Sequence, residues 1–272
     1  MGREITKDTV LCMSLAARPS NHGTRFHNFL YEELGLDYVY KAFTTTDLAA
    51  AIAGIRALGI RGCGVSMPYK EACISYLDAM DDSAAAIQSV NTIVNTGGHL
   101  RAYNTDYLAV STLLADHEVP AESTFAVLGS GGMAKAVVAA LRAAGFASGT
   151  VVARNERTGT ALAEQYGYTW RAELGSSRPQ LLVNATPVGM AGGPGADDLP
   201  VRSDVVDSAE IVFDVVALPP STPLVRRAQE QGKKVITGAE VSALQAAEQF
   251  VLYTGVRPTG DQVRRASEFA RS

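Results

Sequence analysis

The stretch 125–144, FAVLGSGGMAKAVVAALRAA, constrains the fold of this chain more than any other. Phe125 to Leu128 is a short apolar run of strand-forming residues. Gly129, Gly131 and Ala134 then spell G-x-G-x-x-A, and Ala136, Val137, Ala140, Leu141 and Ala144 recur at helical spacing. Strand, glycine turn and helix in that order form the fingerprint of a dinucleotide-binding βαβ unit. Gly129 permits the tight turn, Gly131 lets backbone approach a pyrophosphate, and Ala134 lets the helix pack close to the strand. The helix N-terminus presents unpaired N–H groups and a partial positive charge to phosphates. The bland alternative is a glycine-rich turn that merely packs.

On both sides of this stretch strands and helices alternate. Before it, the pattern predicts strands at 9–15, 38–43 and 62–66 and helices at 22–34 and 48–58, the second capped by Asp47 and closed by Gly59. A helix started by Pro68 is expected to run to Met80. A hairpin over 90–94 and 100–103 is expected around Thr96-Gly97-Gly98, then a helix from Asp106 to about His117. After it, strands are expected at 150–153, 180–184, 211–216 and 234–236, and helices up to Tyr166 and over 222–231, 239–253 and 261–270. Residues 186–200, rich in Gly and Pro, read as a loop. The fold class is therefore α/β with two domains, the second a Rossmann-type doubly wound parallel sheet.

Composition narrows the function classes. In 272 residues the formal net charge is -4, which gives no basic footprint for nucleic acid. No apolar run approaches the roughly 18–20 residues needed to span a bilayer, and the first residues lack the apolar core of a signal peptide. Gly2 with Thr6 matches the loose myristoylation pattern, but nothing else points to a membrane. Cys12, Cys63 and Cys73 are an odd, scattered set, which points to free thiols in a reducing compartment, the cytoplasm. No Cys or His pair has zinc spacing, so no metal is expected.

Three polar positions carry candidate chemistry. Lys70 stands where a strand ends and a Pro-initiated helix starts. A lysine early in a helix sits against the helix dipole, which favours giving up its proton and suits a proton carrier. A solvated surface lysine is the other reading. Asp106, in Tyr103-Asn104-Thr105-Asp106, is an N-cap or a functional carboxylate at a strand end. Both lie at C-terminal strand edges, where open α/β sheets bind ligands, and such a pair suits alcohol–ketone interconversion with a nicotinamide. Arg154 occupies the position, about 25 residues past Gly129, where an NAD-selective site needs an acid for the ribose 2′-OH. A guanidinium there takes a 2′-phosphate by paired charge-assisted bonds, so NADP is the expected cofactor.

These residues resemble the shikimate dehydrogenases, over nearly the whole chain. Residues 34–40, LGLDYVY, resemble the family's first helix-to-strand corner. VSMPYK at 65–70 resembles V-T-x-P-x-K. Val90-Asn91-Thr92 and Asn104-Thr105-Asp106 resemble A-V-N-T and N-T-D. Residues 184–190 resemble N-A-T-x-x-G-M, and 238–255, with Gln245 inside, resemble the closing G-x-x-M-L-x-x-Q helix. The resemblance implies that Lys70 and Asp106 are the catalytic pair and that Ser66, Asn91 and Gln245 bind substrate hydroxyls and carboxylate. It further implies that Gly129, Ser130, Gly131, Gly132, Met133 and Ala134 hold the pyrophosphate, that Arg154 with Asn155 meets the 2′-phosphate end, and that Val215 and Gly238 line the nicotinamide pocket. Residues 1–105 plus 238–272 would form the substrate domain and 106–237 the NADP domain. The implied reaction, shikimate plus NADP to 3-dehydroshikimate plus NADPH, belongs to aromatic amino acid biosynthesis through chorismate.

The departures gather around the substrate. Asn21-His22-Gly23-Thr24 stands where the family has Ser-x-Ser-Pro ahead of His27-Asn28, so both carboxylate-binding serines are missing. Asn21 offers an amide in their place, with Ser14, Ser20 and Arg25 nearby in sequence. Ala217 replaces the tyrosine of D-x-V-Y, Gly64 an asparagine, and Tyr107 the glycine after N-T-D. The pattern is similar to the divergent shikimate dehydrogenase-like branch. The partner is then a shikimate-like cyclic polyol acid handled with low efficiency, in a monomer or homodimer. Rival readings are a dehydrogenase of quinate or an amino-substituted analogue, and a nucleotide-binding sensor with vestigial catalysis. Intact Lys70 and Asp106 argue against the sensor.

Overall fold

The structure is a computed structural model that describes residues 4–272; Gly2, of the myristoylation pattern, lies outside the described residues. The chain divides into two units. One comprises the described residues up to Thr105 with Ala243–Ser272, the other Asp106–Ser242. The return crossing therefore falls inside the long closing helix rather than ahead of it at Gly238.

The first unit opens with β1 (Val10–Leu15), α1 (His22–Glu33), β2 (Tyr38–Phe43), α2 (Leu48–Ala57) and β3 (Gly62–Val65). Asp47 caps α2 by accepting from the Ala50 N–H at 2.9 Å. Next come α3 (Tyr69–Ala72), a 3₁₀ turn at Ile74–Tyr76, β4 (Ala79–Met80), α4 (Asp82–Ala85), β5 (Thr92–Thr96) and β6 (His99–Tyr103). The sheet order is β2-β1-β3-β5-β6-β4. β1 runs parallel to β2 and β3, while β3, β5 and β6 pair antiparallel. The β5–β6 hairpin turns on Gly97 and Gly98, both at positive φ (61° and 90°), the geometry that matches strand twist in a two-residue loop.

The expected helix from Pro68 to Met80 is corrected. It is one turn of α3, the 3₁₀ turn and an extended segment. The Asp78 and Asp81 N–H groups bond to Leu100 and Ala102 carbonyls, so β4 pairs parallel with the open edge of β6. Edge pairing satisfies backbone groups that a longer helix would leave on β6. The dipole argument for Lys70 weakens accordingly, since a single turn has little macrodipole.

The chain leaves through α5 (Thr105–Asp116). The second unit then runs β7 (Phe125–Leu128), α6 (Gly132–Ala143), β8 (Gly149–Val152), α7 (Glu156–Tyr166), β9 (Thr169–Arg171), β10 (Leu181–Asn184), α8 (Ser203–Ser208), β11 (Ile211–Asp214), α9 (Pro223–Glu230) and β12 (Lys234–Thr237). All pairs are parallel, in the order β12-β11-β10-β7-β8-β9, which is the doubly wound dinucleotide-binding order. α10 (Gly238–Thr254) and α11 (Gly260–Arg271) close the chain. The sequence pattern does not show the short β9, α4 and α8.

In the first unit, successive residues of β1 feed different layers. Met13 and Leu15 join Ile52, Ile55, Cys63, Val65 and Ile93 on the α2 side. Cys12 joins Phe26, Leu30, Tyr31, Tyr40, Phe250 and Tyr253 on the side of α1, α10 and α11. A Cβ on Gly62 would lie 2.2 Å from the Tyr253 ring, so glycine there lets α10 lie against β3.

His27 is sealed in this second layer. Its ring stacks on Tyr40 with centroids 4.3 Å apart and 9° between planes, and Nδ1 donates to the Gly23 carbonyl at 2.9 Å. Burial holds its pKa down at about 4, with the Gly23 bond opposing. A free histidine titrates near 6.5, so the neutral ring's stabilisation is complete above that pH and is lost as pH falls towards 4. Between pH 7 and 4.5 that amounts to about 2–3 kcal/mol. In chemical unfolding at the two pH values, His27→Phe is expected to shrink the acid-induced loss by that amount; an unchanged loss would refute the assignment.

Candidate active site

The second unit carries the nucleotide fingerprint at the C-terminal edge of its sheet. Gly129 has φ +110°, and a Cβ there would stand 2.9 Å from the Ala185 carbonyl oxygen, so only glycine fits. Gly131 is the N-cap of α6 and supplies no side-chain cap. A Cβ on Gly131 or Gly132 would meet no protein atom within 4 Å. Packing within the chain does not demand these two glycines, and they leave the start of α6 open to close approach of a ligand. Ala134 is fully buried against the sheet.

Arg154 is exposed just past β8. Asn155 is committed to the helix that follows, where its Oδ1 accepts the Thr158 N–H at 3.1 Å and caps α7. Ser130 and Thr158 share a hydroxyl–hydroxyl bond of 2.7 Å, which ties the glycine turn to that same helix start. Gly238 is demanded by contact, since a Cβ there would fall 2.3 Å from the Val216 carbonyl carbon and 2.5 Å from that of Val215. Behind the edge lies Asp214, fully buried. It accepts from Thr222 Oγ1 (2.5 Å), Asn184 Nδ2 (3.0 Å) and the Val216 N–H (3.1 Å). Burial pushes its carboxyl pKa up and those three donors pull it down.

In the first unit the motif residues converge on β3, β5 and the start of α5. The Val65 N–H bonds to the Asn91 carbonyl (2.7 Å), and the Val90 N–H to the Lys70 carbonyl (2.8 Å). The Thr105 N–H bonds to Asn91 Oδ1 (2.8 Å), and Asn91 Nδ2 donates to Thr105 Oγ1 (3.0 Å). Thr105 Oγ1 reaches Gln245 Oε1 at 3.4 Å. Thus Lys70, Asn91, Thr105 and Gln245 are gathered by hydrogen bonds, and Asp106 follows Thr105 in the first turn of α5. Ser66 is exposed one residue past β3.

Sequence reasoning misses Thr105 and Gln249. Gln249 is buried and donates through Nε2 to the Asn91 carbonyl (3.2 Å) and Thr92 Oγ1 (2.9 Å). The signal that could have found it is the i, i+4, i+8 row Gln245, Gln249, Tyr253, facing the alternate glycines 62 and 64 of β3.

The missing serines and asparagine leave a traceable arrangement. Asn21 is exposed and makes no side-chain cap for α1. Arg25 is committed elsewhere: it donates to Ser272 Oγ (2.9 Å) and lies 4.6 Å over the Phe269 ring. A swing of Arg25 towards a carboxylate is therefore not supported by its partners. Ser20 Oγ accepts the His22 N–H at 3.4 Å. Tyr40 fills the space instead. A Cβ on Gly23 would stand 3.6 Å from the Tyr40 hydroxyl oxygen, and one on Gly64 only 2.9 Å from it. Half-buried Ser14 stands beside that hydroxyl.

Among the described residues no helix is long and apolar enough to cross a membrane, and no group of three or more His, Cys, Asp or Glu is arranged for a metal ion. All three cysteines are free and buried.

Comparison with known proteins finds relatives over nearly the whole chain. The family model described as "Shikimate dehydrogenase substrate binding domain" matches residues 21–93. A Shikimate dehydrogenase-like protein of Haemophilus influenzae is 53% identical over 268 residues, covering 98% of this chain and 99% of its own. A solved structure of a shikimate 5-dehydrogenase-like protein superposes with TM-score 0.97 at 53% identity, covering 99% of this chain and 100% of that one. The shikimate 5-dehydrogenase of Thermus thermophilus, solved with NADP(H) and shikimate, gives TM-score 0.85 at 32% identity, covering 96% and 99%.

Gly64 and Tyr40 are predicted to be coupled. A methyl at 64 presses on a phenol that stacking holds in place, and overpacking costs about 1–3 kcal/mol. Gly64→Ala should destabilise by that much, and Tyr40→Phe, by removing the contacting oxygen, should recover much of it. Additive effects in a double-mutant cycle of unfolding free energies would show that the two do not touch.

Proposed function

The chain belongs to the shikimate dehydrogenase family, and from that premise we propose that it is an NADP-dependent oxidoreductase that interconverts a shikimate-like cyclic polyol acid and its ketone. The observation that carries this reading is the convergence, within the first unit, of the motifs around Lys70, Asn91, Thr105 and Gln245, with Asp106 next in the chain after Thr105. The first unit serves as substrate domain and the second as NADP domain. With its three cysteines free, the protein suits a reducing cytoplasm.

The residues divide the work as follows. NADP, when bound, supplies the hydride acceptor for oxidation and, once reduced, the donor for the reverse reaction. Gly129 to Ala134 would hold its pyrophosphate and Arg154 its 2′-phosphate, and Val215 and Gly238 would line its nicotinamide end. Lys70 takes the hydroxyl proton at Nζ during oxidation and returns it during reduction. Asp106 orients the lysine and grips a ring hydroxyl. Asn91, Gln245 and Ser66 hold the remaining polar groups. The departures at Asn21, Gly23 and Ala217 weaken the carboxylate grip and leave this machinery intact, so shikimate is turned over slowly. A second reading, preference for a relative such as quinate, is favoured by Ala217, whose small side chain leaves room for a different ring substituent.

Three measurements test the proposal. In a spectrophotometric panel of cyclic polyol acids with NADP, shikimate or quinate should be oxidised at kcat/KM well below the diffusional range of roughly 10⁸ M⁻¹s⁻¹. Lys70→Ala should lower kcat by roughly 10²–10⁴-fold with a smaller change in KM. No turnover across the panel, or full turnover by folded Lys70→Ala, would sink it. Arg154→Ala should raise KM for NADP by about one to two decades, the worth of a charge-assisted bond of roughly 1.5–3 kcal/mol, and leave NAD nearly untouched. Equal use of both cofactors by the unmutated protein would remove Arg154 from the cofactor site.

A further inference from the structure

Trp170 is the chain's one tryptophan. It stands in the three-residue edge strand β9, between the exposed Thr169 and Arg171. Its indole is spent on a single peptide group. The Nε1–H donates to the Ala153 carbonyl at 3.1 Å, and the Ala153 N–H donates in turn to the Arg171 carbonyl at 3.0 Å. The edge of the ring lies over Gly159 of α7. A Cβ on Gly159 would stand 2.4 Å from both Cδ1 and Nε1 of the indole and 3.0 Å from the Ala153 Cβ. Glycine is a poor residue for a helix interior, and here it makes room for the indole to reach the carbonyl. The peptide that joins Ala153 to Arg154 is thus held from outside β8. On the other side of Arg154, Asn155 is fixed by its cap on the Thr158 N–H at 3.1 Å. Arg154 itself is exposed, and among the described residues nothing hydrogen-bonds to or pairs with its guanidinium. Both of its neighbours in the chain are tied down, while its charge is tied to nothing.

We propose that Trp170 is a positioning residue for the cofactor's 2′-phosphate: through the Ala153 carbonyl it fixes the direction in which Arg154 leaves β8, so that the backbone under the guanidinium is ordered before the phosphate arrives. The proposal rests on the assignment of Arg154 to the 2′-phosphate, and it deepens that assignment. A guanidinium grips a phosphate through a planar fork, which has to be aligned to make paired bonds. An arginine already surrenders much side-chain freedom on binding, and a turn free to swing would add backbone freedom to that loss. Holding the turn in advance removes the second cost. The indole has one donor and no acceptor, and Ala153 takes that donor, so Trp170 has no hydrogen bond left to offer a ligand. Its effect passes through Arg154. A dinucleotide without a 2′-phosphate makes no use of Arg154 and does not sense the indole bond.

The test is equilibrium binding of NADP and of NAD to the full chain by titration calorimetry, with no substrate present. Trp170→Phe keeps an aromatic ring over Gly159 and removes the N–H. It is expected to raise Kd for NADP about three- to tenfold, the worth of one ordinary hydrogen bond, and to leave Kd for NAD nearly unchanged. Gly159→Ala reaches the same bond from the helix side, by pushing the indole off the carbonyl, and should give the same pattern. In an Arg154→Ala background neither change should weaken NADP further, because the group through which both act is gone. Thermal unfolding of each variant confirms that it is folded. The proposal is overturned if folded Trp170→Phe or Gly159→Ala binds NADP as the unmutated chain does. It is overturned equally if the variants weaken NADP and NAD alike, as a purely structural defect would, or if their effect persists undiminished in Arg154→Ala. Unweakened NADP binding by Arg154→Ala alone is a different result: it removes Arg154 from the 2′-phosphate, and this inference with it.

Discussion

The hydrogen bond from the Thr105 N–H to Asn91 Oδ1 underlies the rest of the first unit's site. Thr105 opens α5, and the first N–H groups of a helix have no partner inside it. Asn91, from the strand lead-in 14 residues earlier in the chain, satisfies one of them from outside. One bond therefore fixes where α5 starts, where Asp106 stands in its first turn, and which way the Asn91 amide faces. Because Thr105 is fully buried, breaking the bond would strand its N–H, at a cost of about 1–3 kcal/mol. A site held this way is pre-organised before any ligand arrives.

The second unit uses the same device at its own sheet edge. Asn184 ends β10, and its Oδ1 accepts both the hydroxyl and the N–H of Thr186 (2.6 and 3.1 Å), while its nitrogen bonds to Asp214 and to the Val188 carbonyl. Asp214 ends β11 and holds Thr222 at the start of α9. A buried amide and a buried carboxyl thus fix the two loops that leave β10 and β11. Where packing is closest the chain supplies glycine, at 129 against Ala185 and at 238 against Val215–Val216. Polar locks at strand ends and bare backbone at the approaches leave the loops little freedom, and they demand few large side chains.

The legibility of the sequence follows the range of the interactions involved. The parallel sheet, α6 and the glycine turn are readable because their signals are local: an apolar run, two glycines and a 3.6-residue period. The β5–β6 hairpin is readable for the same reason. The segment after Lys70 is not, because its conformation is decided by pairing with β6, some twenty residues onward, and no local period records that. Gln249 and Thr105 escape notice because a lone polar residue in a helix reads as a surface residue until its partners in space are known. Tyr40 is invisible as a site residue, since a tyrosine in a β-strand reads as core. Its significance appears only when Gly23 and Gly64, 41 positions apart, are found facing one oxygen.

That last arrangement bears on which polar groups stand near positions 21, 23 and 64. The groups near the lost serines are neutral donors, the Ser14 and Tyr40 hydroxyls, because the nearby cation, Arg25, is spent on Ser272 and Phe269. Burial keeps the Tyr40 phenol protonated by pushing its pKa far up. It is therefore a donor and never a charge. Adding back a polar side chain at 64 means moving a ring clamped by stacking on His27, so the position is hard to reverse in one step. The Asn91 lock is built from the Thr105 N–H, the Asn91 amide and the Thr92 hydroxyl, and a Cβ at 64 would come only into ordinary contact with Gln249 Nε2, at 3.5 Å. On the proposed reading, the groups around Tyr40 and those around Asn91 are therefore held by largely different partners, and position 64 is where the two meet.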